Sequence, residues 1–287
     1  MNLVHIIIIL LILIIYRMII KKRRKYFLVM VAIFKNENDY IEEWLKFHIK
    51  QGIDHFYLYD NNDESHDKET MRILNKYSNK ITYIVWNNVE TTKLYTTQRR
   101  AYQNCINKYN KEFKWIALAD IDEFLYSTES SIKQIIKSYT NENTPFIKVP
   151  RYNFGDSGHQ TKPDNGVVNN YIYREKKFSS YKSISNIDYI DLHKHTFGVH
   201  RYLYTTHNNA INTGIKIGNK QVINSDIPLV MNHYYTKSKK EYTNRCNMWS
   251  NSQINSIGFR DDCFDEEHYK NVNKNEIKDT AAKKLIN

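Results

Sequence analysis

The chain is poor in the residues that break or staple a fold. Its 287 residues include 8 glycines, 4 prolines and 3 cysteines. So little Gly and Pro excludes a collagen-like or linker-rich chain. No G-x-G-x-x-G and no P-loop occurs, so dinucleotide-binding and NTPase readings lose their main support. Cys105, Cys246 and Cys263 are odd in number and show neither zinc-finger nor redox spacing; reduced thiols are expected. Despite many asparagines there is no Asn-x-Ser/Thr sequon, which suits a chain kept from lumenal glycosylation.

Basic residues are in excess, 42 against 31 acidic, for a net charge of +11. Six of them, Arg17, Lys21, Lys22, Arg23, Arg24 and Lys25, sit in one short stretch. Without these the excess is +5, too mild to argue for a nucleic-acid surface. The stretch follows an apolar run, "LVHIIIILLILIIYRMII" from Leu3 to Ile20. The run approaches the ~20 residues that a bilayer span needs. Its charges follow it, and no Ala-x-Ala site appears, so an uncleaved anchor over 1–25 is expected rather than a signal peptide. The positive-inside rule puts the basic flank, and the domain 26–287, on the cytosolic side; a Golgi-type lumenal orientation is the alternative.

From Tyr26 onward, strands and helices alternate. "YFLVMVAIF" is a continuous apolar run, the mark of a strand buried on both faces. "DYIEEWLKFHIKQG" carries Ile41, Trp44, Leu45, His48 and Ile49 on one helical face, with an Asp39/Glu42 capping box and Gly52 as its stop. "HFYLYD", "ITYIVW" and "KWIALAD" read as the next three strands, with helices over "MRILNKYS" and "TTQRRAYQNCINKYN" between them. "SIKQIIKSYT" is a further helix and "FIKVPRYNF" a further strand. This order predicts an α/β fold with an open, mostly parallel sheet flanked by helices. No linker or repeat divides it, so one domain with an elaborated second half is expected.

In such sheets ligands bind beyond the carboxyl ends of the strands. That rule gathers Asn36 and Glu37, Asp60 and Asn61, and Asp120 to Glu123 along one rim. Asp120 and Asp122, two apart, would point to opposite faces of an extended strand, so the chain must turn if both are to meet one ligand. A hard divalent cation takes carboxylate oxygens and keeps positions for phosphate. Asp-x-Asp alone is as readily a solvated turn. Gln98 and Arg99 open a helix towards the same rim.

"FKNENDYIEEWLKFHIKQGIDHFYLYDNN", "WIALADIDEFLY", "FGDSGH" and "MNHYYTKSKKEY", in that order, resemble glycosyltransferase family 92 and related bacterial and viral GT-A proteins from about Val31 to Asp279. The resemblance implies a GT-A fold and inverting transfer of a hexose, galactose favoured, from a UDP-sugar to a glycan or glycoprotein. It implies Mn²⁺ or Mg²⁺ held by Asp122 and His233, with Asp120 touching the metal through water or the donor ribose. It places Lys35, Asn36, Glu37, Asp60 and Asn61 at the nucleotide, along with Gln98, Arg99 and Asp120, and Lys237 at the diphosphate.

An inverting transfer needs a base for the acceptor hydroxyl. Asp156 in "FGDSGH" and Asp191 are the candidates, while Ser238 and Glu241 read as a capping box. His159, His193 and His195 are candidates for acceptor hydroxyls. Two rival readings stand. A phosphatase of the haloacid-dehalogenase type also uses Asp-x-Asp, but Phe124 replaces its usual Thr or Val and the motif follows the fourth strand. A non-catalytic glycan-binding module would use the 23 tyrosines but leaves the strand-end acids unexplained.

Overall fold

The computed structural model describes residues 24–63, 67–87, 94–192, 227–251 and 261–286, with the short pieces 5, 200, 202, 215–217 and 220–222. The first strand, β1 (Tyr26–Phe34), shows why the sheet is central. Leu28 to Ala32 are fully buried. Leu28, Met30 and Ala32 enter one core and Val29 and Val31 the other, following the two-residue alternation of a strand. Both faces must therefore be covered.

One face is covered by α1 (Ile41–Lys50), α2 (Lys68–Asn75) and α4 (Ile132–Tyr139), the other by α3 (Leu94–Tyr109). Trp44, Leu45 and Phe47 of α1 pack with Leu58 of β2 (His55–Asp60) and Phe124 of β5 (Glu123–Ser127). On the other face, Ala101, Tyr102 and Ile106 of α3 pack with Ile116 and Leu118 of β4 (Phe113–Leu118). Gly52 ends α1 with φ +92, in the left-handed region, as its position predicted. The start of α1 differs. Tyr40 is its N-cap, without a side-chain cap bond. Asp39 pairs with Lys162 and Glu42 with Lys46 and Lys76, so ion pairs outcompete the expected capping box.

The remaining strands are β3 (Ile81–Val85), β6 (Phe146–Asn153), β7 (Tyr173–Arg174), β8 (Ser180–Asn186), β9 (Ile215–Ile217), β10 (Lys220–Val222), β11 (Leu229–His233) and β12 (Ile277–Lys278). The helices α5 (Val167–Asn170), α6 (Lys239–Asn251) and α7 (Glu266–Val272) complete the described elements used below. The main sheet has eight strands in the order β3-β2-β1-β4-β8-β6-β11-β5. β3, β2, β1 and β4 are parallel, as expected. The other half departs from the expectation: β8 is antiparallel to β4 and β6, and β5 is antiparallel to β11. The turn after β4 accounts for β5. Glu123 N–H bonds Asp120 C=O at 3.0 Å, and the chain re-enters the sheet at its far edge.

That topology sets the site. The β5–β11 register places His233 opposite Glu123, and the parallel β6–β11 register places it opposite Asn153. Three residues far apart in sequence thus share one row at the end of the acid turn.

The cysteines differ from expectation. Cys246 of α6 and Cys263 form a disulfide with a Cα separation of 5.9 Å, while Cys105 is a buried free thiol. Their 17-residue spacing gave no sign of it, because the pairing depends on how α6 packs on the turn Asp261–Phe264. No helix among the described residues is long and apolar enough to cross a membrane. The expected anchor, apart from His5, Arg24 and Lys25, lies outside the described residues, as do His193 and His195.

Candidate active site

The acid turn supplies carboxylates with different surroundings. Asp120 is held by protein donors. Its Oδ1 accepts from Gln98 Nε2 at 2.6 Å and Tyr102 hydroxyl at 3.3 Å, and its Oδ2 from Lys182 Nζ at 3.2 Å. Glu123 is fully buried. It takes Lys182 at 2.8 Å, Arg151 at 2.8 Å and the Asp120 N–H at 3.0 Å. Burial pushes the Glu123 carboxyl up, but Lys182 and Arg151 outweigh it and hold it low. Glu123 is therefore a buried anchor for the turn.

Asp122 points elsewhere. Its Oδ1 faces His233 Nε2 at 3.6 Å and its Oδ2 faces Arg245 at 3.6 Å. Burial opposes its charge, yet His233, Arg245 and Lys237 together hold it well below the usual carboxylate range. It is ionised at any physiological pH. His233 Nδ1 bonds Asn153 Oδ1 at 2.7 Å, which leaves Nε2 for the Asp122 side.

Lys237 lies in the turn after β11, with φ +52, and is almost completely buried. Its ammonium sits 3.5 Å from the Tyr40 ring centroid and 3.6 Å from Glu37. Burial pushes Lys237 down and Glu37 up, and the charge of each partly offsets this in the other. Asp122, His233, Lys237, Glu37 and Arg245 thus form one connected charged cluster. Among the described residues no three His, Cys, Asp or Glu side chains converge as a metal cage. Asp122 and His233 are a pair. Such a pair suits a hard cation that takes its remaining ligands from water and a phosphorylated substrate. The donor set fits Mn²⁺ or Mg²⁺ on those terms.

The other expected site residues fall into three groups. Asn36 and Asn61 lie on the rim, where the loops after β1 and β2 are tied by Asn36 N–H to Asn62 Oδ1 at 2.8 Å and Asn61 N–H to Phe34 C=O at 2.9 Å. Lys35 reaches Asp63 at 2.7 Å on the exposed side of that rim. Arg99 is half-buried beside Gln98. Asp60 is fully buried and occupied by Asn62 and the Tyr83 hydroxyl.

Asp156 is also engaged on both oxygens, by Tyr269 at 2.6 Å, Asn275 at 2.9 Å and the Gly158 N–H at 2.9 Å. Asp191 is buried just before Leu192, which packs on the α3 face. His159 caps a turn and packs edge-on against Tyr171. Ser238 and Glu241 form the expected capping box, with Ser238 N–H to Glu241 at 3.1 Å and Glu241 N–H to Ser238 Oγ at 3.4 Å. Glu241 also accepts from the Tyr40 and Tyr171 hydroxyls.

Sequence reasoning missed Arg245, Lys182, Arg151 and Asn153. Lys182 lies in "YKSI" and had no motif around it. Its signal was weak but physical: a Lys in a strand whose later residues, Ser183 to Asn186, are all buried.

Beside His233 opens a cavity of about 420 Å³. Its wall includes Arg151, Asn153, Glu175, Tyr235, His268 and Lys274. The glycosyltransferase family 92 model matches residues 25–284, so the chain belongs to that family.

Among similar proteins, a family 92 protein of Arabidopsis thaliana is 23% identical over 167 residues, 55% of this chain and 28% of that protein. One from Ricinus communis is 25% identical over 166 residues, 54% and 28% of the two chains. The matched region is thus under a third of those relatives' length. Among solved structures, Staphylococcus aureus TarS 1–349 in complex with UDP is 16% identical, covering 56% of this chain and 47% of that one, at a TM-score of 0.33. GalNAc-T7 with UDP, GalNAc and Mn²⁺ is 14% identical, covering 56% and 35%, at 0.34.

Proposed function

We propose that this chain is a metal-dependent, inverting hexosyltransferase of the GT-A type, moving a hexose, galactose favoured, from a UDP-sugar to a glycan or glycoprotein. The observation that carries the reading is Asp122 facing both His233 Nε2 and Arg245 at 3.6 Å. Asp122 and His233 would hold Mn²⁺ or Mg²⁺. When bound, the ion would neutralise charge on the departing diphosphate. Arg245 and Lys237 complement it with fixed cations that need no reorganisation as the leaving group gains charge. Asp120, oriented by Gln98, Tyr102 and Lys182, presents its carboxylate towards the donor ribose. Asn36, Glu37 and Asn61 line the nucleotide end of the rim, with Lys35, Asp60 and Arg99 behind it.

The test is a screen of UDP- and GDP-sugars for binding and slow hydrolysis with Mn²⁺. Asp122→Ala is expected to abolish hydrolysis. If no nucleotide sugar binds in the presence of Mn²⁺, the reading falls.

The proposal includes an anchor over 1–25 and, from its basic flank, a cytosolic domain. The disulfide pulls the other way, since cytosolic thiols are ordinarily kept reduced. Protease protection of the C-terminus in sealed membranes would overturn the cytosolic placement.

A further inference from the structure

Glu175 follows β7 and sits in the wall of the cavity beside His233. It is only 6% exposed. One carboxylate oxygen is fully used: Oε1 accepts the Asn153 N–H at 2.6 Å and the Ser179 N–H at 3.2 Å. Oε2 accepts no hydrogen bond and makes no ion pair among the described residues, yet it is not sealed from solvent. A nearly buried carboxylate that lines a cavity with one oxygen clamped and the other without a protein partner among the described residues is unusual, because buried polar atoms are ordinarily paired. Its backbone is fixed as well, with Glu175 N–H bonding Asn153 C=O at 3.0 Å.

Asn153 joins this carboxylate to the metal-capable imidazole. Its N–H bonds Glu175 Oε1, and its side-chain Oδ1 bonds His233 Nδ1. One residue therefore positions Glu175 and His233 against the same cavity. Asp156 offers no comparable free oxygen, since both of its oxygens are engaged.

We propose that Glu175 is the general base of the transfer and that this cavity receives the acceptor hydroxyl. The inference rests on the transferase reading above. In the step, Glu175 Oε2 takes the hydroxyl proton as the acceptor oxygen bonds the anomeric carbon. The bond from that carbon to the diphosphate oxygen breaks, and its electron pair leaves with the UDP towards Lys237 and Arg245. The proton passes from Glu175 to solvent after product release. The other charged and titratable groups lining the same space are Arg151, His233, Tyr235, His268 and Lys274.

The experiment uses the full chain and Glu175→Gln, which keeps an acceptor for both backbone N–H groups. Binding of UDP-sugars with Mn²⁺ is measured by calorimetry, and donor hydrolysis is followed against pH. The expected result is binding within about threefold of wild type, turnover lowered roughly 10²–10⁴-fold, and loss of the acid limb of the pH profile. Turnover near wild type with that limb intact would overturn the assignment. Loss of binding together with turnover would make Glu175 a structural support and overturn it too. Removal of the acid limb by Asp156→Asn instead would move the base to Asp156. If wild type binds no nucleotide sugar, the transferase reading and this inference fall together, an outcome distinct from the others.

Discussion

His233 Nδ1 and Asn153 Oδ1 are 2.7 Å apart, across the register of β6 and β11. Asn153 Nδ2 donates to Ser179 Oγ at 2.8 Å, which orients the amide so that Oδ1 accepts. The network makes Nδ1 the donor to Asn153 and leaves Nε2 facing Asp122.

Asn153→Ala removes that orientation without touching either ligand atom. Mn²⁺ affinity in the presence of UDP is expected to fall about 10–100-fold. Titration by electron paramagnetic resonance measures it. An unchanged affinity would show that the ring is fixed by other contacts.

Lys182 is buried between Asp120 and Glu123. Lys182→Met leaves Glu123 with Arg151 and Asp120 with the neutral donors Gln98 and Tyr102, and is expected to destabilise the fold by roughly 3–5 kcal/mol. Urea unfolding measures the loss. The double change with Glu123→Gln should recover part of it, since one buried charge then needs no partner.

The Cys246–Cys263 bond closes a loop of 17 residues beside Arg245. Under the chain-entropy account, Cys246→Ser is expected to cost about 3 kcal/mol. Alkylation of unfolded, unreduced protein should label Cys105 only, and all three cysteines after reduction. Three labelled thiols without reduction would contradict the pairing.

His48 is buried; its Nδ1–H meets Trp44 C=O at 2.8 Å and its Nε2 accepts from Leu125 N–H at 3.0 Å. Burial lowers its pKa to about 3. In the unfolded chain it titrates near ~6.5. The unfolded state therefore binds the extra proton between these values. Stability is full above the unfolded pKa and falls with acid, by about 1.4 kcal/mol per pH unit from this group. His55 and His200, lowered to about 4, act in the same direction. Denaturant unfolding of His48→Gln against pH should show a shallower acid slope than wild type. Equal slopes would place the proton uptake elsewhere.

The first half of the sheet was legible because β1, β2 and β4 are buried on both faces and, with β3, read as apolar runs between amphipathic helices. The second half was not. Short, polar strands such as β8, "SYKSISN", carry no clear apolar period, and nothing in them marks strand direction. The capping box at Ser238 was readable because both partners lie within one helical turn. The one at Asp39 failed because Lys162, Lys46 and Lys76 compete for its carboxylates, and Lys162 and Lys76 arrive from elsewhere in the chain.

By itself the sequence determined that "KWIALADIDEFLY" ends a buried strand with three acids in the turn that follows, since local apolar runs and turn residues fix that much. Only the tertiary structure separated their roles. Lys182 and Arg151 come from distant strands to claim Glu123, and Gln98, Tyr102 and Lys182 to orient Asp120. Asp122 is left to His233, Arg245 and Lys237. Side-chain charges choose partners through space, and those partners lie up to 123 residues along the chain, between Asp122 and Arg245. The same reason hid Glu175: its free oxygen and its cavity exist only once β6, β7 and β11 are assembled.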